Sequence, residues 1–387
     1  MVAALSTDAM AAKPRVLVLG GAGMIGRNFV KYLVDRDLVS FVHVADKTMP
    51  EISYFSAPHK EAFADERVKF VQADLTRDAH VDRAFNPEFG PYDFVFNLAG
   101  ETKCGLSENV YASKCRDLSV KCSKKAHEIG VKRYIEVSTA FVYKSQVKQP
   151  AKENAELQPW TLQAKYKLEA EQEICKMSGL KAVFLRLATV YGSADSAGLM
   201  PRIVCAASYV KLEEKMKLLW DAEMRVNTVH VFDVCQALWH LTSAGNDGEV
   251  YNLVDKNDTM TRTNSGFRWK DQAKINAMLE EIFHIKTGFI GKLVSNLARV
   301  RLADVVDDAN EKHMQPWADL CAEHGITNTP LTPYIDKELL QHNHLYADGS
   351  KIESTGFRYE YPTLETKEVH GVLEEMVQQK IFPPILS

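Results

Sequence analysis

Several absences narrow what this chain can do. Its 387 residues contain no apolar run approaching the ~18 to 20 residues that cross a bilayer, so no transmembrane segment is expected. There is no basic excess. Lys and Arg total 47 against 51 Asp and Glu, for a net charge of −4, whereas nucleic-acid binders usually advertise a basic face. Disulfide patterning is missing too: the seven cysteines (Cys104, Cys115, Cys122, Cys175, Cys205, Cys235 and Cys321) are odd in number and never form a Cys-x-x-Cys pair. They read as reduced core residues of a cytoplasmic protein, and no metal site is expected. Neither an internal repeat nor a low-complexity tract is present, which sets aside solenoids and linkers. What is there, 46% hydrophobic and 25% charged, suits a globular protein with room for a buried ligand site.

Residues 1–14 are mostly small and apolar, without the basic start of a signal peptide or the arginines of a transit peptide, and read as a disordered lead-in. From Arg15 short apolar runs alternate with amphipathic helical patterns, the order of an α/β doubly wound parallel sheet. Strands are expected at Arg15 to Leu19, Phe41 to Ala45, Val68 to Gln72, Phe94 to Leu98, Arg133 to Val137 and Ala182 to Leu187. Helices are expected at Met24 to Val34, Val110 to Ile129 and Gln163 to Met177. After Gly192 the rhythm changes, with short extended pieces at Val229 to Val231 and Glu249 to Leu253. The expected organisation is a dinucleotide-binding domain over 15–190 with returns near 225–254. A smaller, mainly helical lobe for substrate or partner takes 191–224 and 255–387. The apolar spacing from Phe289 to Leu302 reads as a packed lobe helix rather than one lying on a membrane.

The chemistry begins where Val16 to Leu19 runs into Gly20-Gly21-Ala22-Gly23-Met24-Ile25-Gly26 and then opens a helix. Glycine is needed in such a loop because the turn demands unusual φ and the backbone must touch a pyrophosphate. The helix N-terminus then offers unpaired N–H groups to that phosphate. About 20 residues further on, the second strand ends in Asp46, placed to accept hydrogen bonds from both hydroxyls of an adenosine ribose. Its charge disfavours a 2′-phosphate, so NAD is expected and NADP is less favoured. Lys47, beside the acid, pulls the other way.

These motifs resemble extended short-chain dehydrogenase/reductases, the NAD-dependent epimerase/dehydratase group. Gly20, Gly23 and Gly26 match its Gly-x-x-Gly-x-x-Gly loop. Asp74-Leu75 is similar to its adenine-contacting pair, and Asn97-Leu98-Ala99-Gly100 to the small-residue turn that packs on the cofactor. Val137 to Tyr143 resembles the segment carrying the active-site hydroxyl, which the register places on Thr139. Arg186 to Gly192, Arg225 to Val234 and Gly248 to Asn252 match later landmarks, with Ala188 beside the cofactor and Arg225 facing an anionic part of the substrate. In that context Asn97 serves either the cofactor turn or its own strand end. His230 reads as structural, and Asp233 as serving the start of the following helix.

One expected residue is absent. The family uses Tyr-x-x-x-Lys on a helix, where the lysine binds the nicotinamide ribose and lowers the tyrosine pKa. Lys167, followed by Leu168-Glu169-Ala170-Glu171, matches the lysine, which puts Gln163 at the tyrosine position; none of the fourteen tyrosines has a lysine four residues on. Glutamine cannot titrate. The Asp-Glu pair of the sugar-nucleotide 4,6-dehydratases is also missing, because Ala140-Phe141 follow Thr139. Glu101, Lys103, Tyr191 and Thr139 are the other candidates for proton transfer or substrate contact. Two readings follow: an oxidoreductase or epimerase with a rewired proton relay, and a silent NAD-binding scaffold with a protein partner. The resemblance further implies a homodimer built on the helices at 110–129 and 163–177. Tyr111, Leu118 and Cys122 either line that face or lie on the sheet.

Overall fold

A computed structural model describes residues 12–256, 271–291 and 301–387. The expected lead-in lies largely outside these residues, as does most of the apolar segment from Phe289 to Leu302. Strands β1 (Arg15–Leu19), β2 (Phe41–Asp46), β3 (Val68–Gln72), β4 (Phe94–Asn97), β5 (Arg133–Thr139) and β6 (Ala182–Leu187) fall where the apolar runs place them. Three short strands follow, β7 (Thr189–Tyr191), β8 (Met216–Leu218) and β9 (Thr228–His230), and then β10 (Val250–Leu253). The main sheet is seven-stranded and parallel, in the order β10-β6-β5-β4-β1-β2-β3. Strand order reverses beside β1, and a crevice at such a reversal is where open α/β sheets bind ligands.

Because both faces of the sheet are covered, its central strands are mostly apolar, and every residue of β6, Arg186 included, is buried. Helices α1 (Met24–Asp35), α2 (Ala57–Ala64) and α3 (Asp78–Ala84) follow the first three strands. A continuous helical rod then comprises α4 (Glu108–Tyr111), a π-helical turn over Ala112–Asp117, and α5 (Leu118–Glu128). Next come α6 (Leu162–Cys175), α7 (Met200–Leu212) and α8 (Val231–His240). β5 runs two residues beyond the expected Val137, because Ser138 and Thr139 stay in register with Arg186 and Leu187 of β6.

A second core lies apart from the sheet. It joins α7, the helices Asp271–Phe283 and Thr366–Gln378, and Trp317 and Cys321 of the helix Leu302–Glu323. A two-stranded pair of β8 with β11 (Thr287–Phe289) flanks it. The isolated bridges Ala151–Ala347 and Val226–Leu345 return the C-terminal segment to the sheet half. Among the described residues no helix is long and apolar enough to cross a membrane, and no group of His, Cys, Asp or Glu could hold a metal ion.

Candidate active site

The glycine loop is shaped by what cannot fit in it. Gly20 has φ +79°, and a Cβ there would lie 2.6 Å from the Ala99 amide nitrogen. A Cβ on Gly26 would lie 2.4 Å from Gly20 O, so α1 packs directly on the loop. Gly23 differs: a Cβ there would meet only Gly20 O, at 3.3 Å, and its other side is open. Helix α1 begins after Gly23 without a side-chain cap, so no side chain takes up its first amides. A pyrophosphate fits this arrangement.

At the end of β2, Asp46 Oδ2 accepts from Ala22 N at 3.0 Å and Oδ1 from Thr48 N at 2.9 Å. The carboxylate thus holds the glycine loop, and each oxygen keeps a further lone pair for another donor. Burial pushes its pKa up, against the two amides and Lys47. Asp74, after β3, is tied to Thr76 N and Oγ1 through Oδ1 and to Arg77 at 3.5 Å; Leu75 beside it is buried.

The turn after β4 rests on a buried polar network. Asn97 Nδ2 donates to Ser119 Oγ (3.0 Å) and Glu136 Oε2 (2.7 Å), while its Oδ1 accepts from Ala99 N (3.3 Å). Ser119 and Tyr134 also donate to Glu136. Asn97 is 0% exposed, so it shapes the Ala99-Gly100 turn from beneath instead of meeting a ligand. Next in the chain, Glu101 is buried and accepts from its own loop, Thr102 N and Lys103 N, each at 3.2 Å on Oε1. Lys114 reaches Oε2 at 3.1 Å and Lys47 at 4.0 Å. Burial raises the Glu101 pKa, but these donors and cations outweigh it and hold the group below the usual value.

On the other wall, Thr139 Oγ1 caps the 3₁₀ turn Ala140–Val142 by accepting from Phe141 N at 3.2 Å. Phe141 stacks on Trp160 with ring centroids 4.4 Å apart. Helix α6 starts at Thr161, whose side chain accepts from Ala164 N, and presents Gln163 and Lys167 on one face. Gln163 Nε2 donates to Glu101 O at 2.8 Å. Lys167 Nζ donates to Val137 O at 2.7 Å and lies 3.5 Å from where a Gly100 Cβ would sit. Hydrogen bonds and close approach thus draw Gln163, Lys167, Gly100 and Glu101 together, with Thr139 two residues beyond the Val137 carbonyl that holds Lys167.

The other expected positions are held as follows. Tyr191 is 2% exposed in the lobe core, its hydroxyl 3.5 Å from Thr363 O, so it cannot present a proton to the crevice. Arg225 lies over the Tyr346 ring at 4.9 Å. Ala188 is buried, its amide donating to Leu253 O. Lys103 enters the site through its backbone, with its carbonyl accepting from Tyr111 Oη at 2.6 Å. Asp233 lies in the first turn of α8 but does not cap it. Its carboxylate instead accepts from Glu360 N and Tyr361 N of the C-terminal segment (2.8 and 3.0 Å), and His230 Nδ1 caps the helix. Tyr111, Leu118 and Cys122 are buried, so they do not line an exposed dimer face. Lys114, Glu136 and Ser119 escaped sequence reasoning. Lys114 lies in the π turn and reaches Glu101, and no apolar period marks such a turn.

The comparisons with known proteins agree with this architecture. The NAD dependent epimerase/dehydratase family model matches residues 16–253. dTDP-D-glucose 4,6-dehydratase of Mus musculus is 27% identical over 254 residues, covering 62% of this chain and 67% of that protein. UDP-glucose 4-epimerase of Azospirillum brasilense is 30% identical over 204 residues, or 50% of this chain and 53% of that one. Among solved structures, the dTDP-glucose 4,6-dehydratase DesIV of Streptomyces venezuelae superposes with a TM-score of 0.66 at 19% identity, covering 96% of this chain and 99% of its own. UDP-glucuronic acid 4-epimerase of Bacillus cereus gives 0.66 at 16% identity, covering 94% and 99%. With the sheet, the glycine trough and the landmarks of residues 16–253 in place, the chain belongs to the NAD dependent epimerase/dehydratase family.

Proposed function

We propose that this protein is an NAD-binding oxidoreductase or epimerase acting on a secondary alcohol or its ketone, with a proton relay that does not run through residue 163. The observation that carries this reading is the approach of Lys167 Nζ to Gly100, which sets the lysine assigned to the ribose by the resemblance beside the turn assigned to the cofactor. Gly20, Gly23, Met24, Ile25 and Gly26 hold the pyrophosphate, Asp46 the adenosine ribose, and Asp74 and Leu75 the adenine. NAD supplies the hydride acceptor when bound. Thr139 orients the substrate hydroxyl. Gln163 stands at the family's tyrosine position and can hydrogen-bond a carbonyl but cannot exchange a proton. Ala140 and Phe141 follow Thr139 where 4,6-dehydratases carry acids, so elimination is not the expected reaction. General acid/base help is typically worth ~10² to 10⁴ in rate, and a slow hydride transfer survives without it.

The test is reduction of bound NAD, followed by absorbance, across sugar nucleotides, sterols and other secondary alcohols. Turnover with one class is expected; no reduction with any class, in protein shown to be NAD-loaded, overturns the reading. A second reading, a silent NAD-binding scaffold for a protein partner, draws on the engagement of the Gln163 amide by Glu101 O. Gln163→Tyr separates the two. Gained activity on a substrate that the natural protein binds but leaves unconverted favours the scaffold, and loss of an existing activity removes it.

A further inference from the structure

Glu101 is held from every side. Besides the contacts of its carboxylate, its carbonyl accepts from Gln163 Nε2 at 2.8 Å and from Cys115 Sγ at 3.7 Å. Its side chain is only 9% exposed, against 57% for Lys47 and 40% for Lys114. Lys47 follows β2 and Glu101 follows β4, with β1 and its glycine turn between those two strands. The contact at 4.0 Å thus spans the end of β1 from the adenosine side to the nicotinamide side. Since Glu101 is anchored and Lys47 is exposed, the lysine is the partner drawn over.

We propose that Glu101 is a determinant of NAD over NADP, because its anchored carboxylate engages Lys47, the cation that would otherwise neutralise a 2′-phosphate beside Asp46. This rests on the NAD reading above and adds a residue outside the glycine-acid fingerprint. Asp46 disfavours the phosphate directly. Glu101 acts on what could have compensated: a phosphate must take Lys47 from Glu101 or go without it.

Cofactor-free protein titrated with NAD and NADP, with affinities read by calorimetry, tests this. Glu101→Gln removes the charge and keeps the shape, and is expected to raise NADP affinity relative to NAD about fivefold. That gain should vanish in the Glu101→Gln/Lys47→Ala double variant. Lys47→Ala alone, at an exposed position that does not endanger folding, should leave the ratio within about twofold, since its charge is already engaged. The proposal is overturned if Glu101→Gln leaves the ratio unchanged, if its gain persists without Lys47, or if Lys47→Ala alone cuts NADP binding as a free phosphate ligand would. Should the natural protein bind neither dinucleotide, it is the NAD reading that fails; NAD binding with an unaltered ratio removes only the role of Glu101.

Discussion

The cofactor trough and the junction between the sheet and the helical lobe are both held by carboxylates on backbone amides, but over different spans of chain. Asp46 takes Ala22 N and Thr48 N, reaching no further than 24 residues. At the junction Asp233 takes Glu360 N and Tyr361 N, and Glu338 takes Leu162 N at the start of α6, all more than a hundred residues away in sequence. The acid's grip on the glycine loop is thus local to one βαβ unit, although Gly20 itself packs on the Ala99 amide after β4. The junction exists only once the C-terminal segment has folded back, and it supports the helix that carries Gln163 and Lys167.

The comparison breaks most clearly at Gly20. Gly20→Val forces a side chain into φ +79° and against the Ala99 amide, so a loss of about 4 kcal/mol and of measurable NAD binding is expected, read by urea unfolding and calorimetry. Leu279→Ala, in the lobe core at 0% exposed, should cost about 3 kcal/mol yet leave NAD affinity within about twofold. A large fall in affinity there would show that the trough depends on the lobe.

Acid unfolding sharpens the contrast. Burial lowers the His43 pKa to about 4, so between pH 6.5 and 4 the unfolded chain gains a proton that the folded chain refuses. Stability from this group is therefore present at neutral pH and lost as pH falls. Burial pushes Asp233 up to about 6, with the opposite sign: the folded chain takes the proton first, and stability rises as pH falls through 6 toward 4. Each shift corresponds to at most about 3 kcal/mol. His43→Phe should flatten the loss of stability on acidification, and Asp233→Asn should steepen it, in unfolding curves taken at several pH values. Equal slopes in both variants would remove the argument. The smallest effect expected is at Asp46, where Asp46→Ala should weaken NAD binding about tenfold, measured by titration of the cofactor-free protein.

Much of the fold was legible because its signals are local. β1, β3 and β6 begin and end where the apolar runs do, and Gly20, Gly26 and Asp46 announce themselves by spacing along a single βαβ unit. The residues that escaped, Lys114, Ser119 and Glu136, act across strands or through a π turn, and no period or motif marks them. Tyr191 looked like a site residue because it follows a landmark strand, and only the lobe core shows that its ring is buried.

The sequence alone determined the parallel sheet, the glycine trough with its acid, and the absence of any tyrosine four residues before a lysine, since each is set by the order of neighbouring residues. Tertiary structure alone decided that the Gln163 amide is engaged by Glu101 O, that Lys47 and Lys114 share one carboxylate, and that Asp233 fastens the C-terminal segment. The physical reason is range. Backbone propensity and apolar periodicity act over a few residues, whereas the partner of a buried charge is whatever group the finished packing brings within hydrogen-bonding distance.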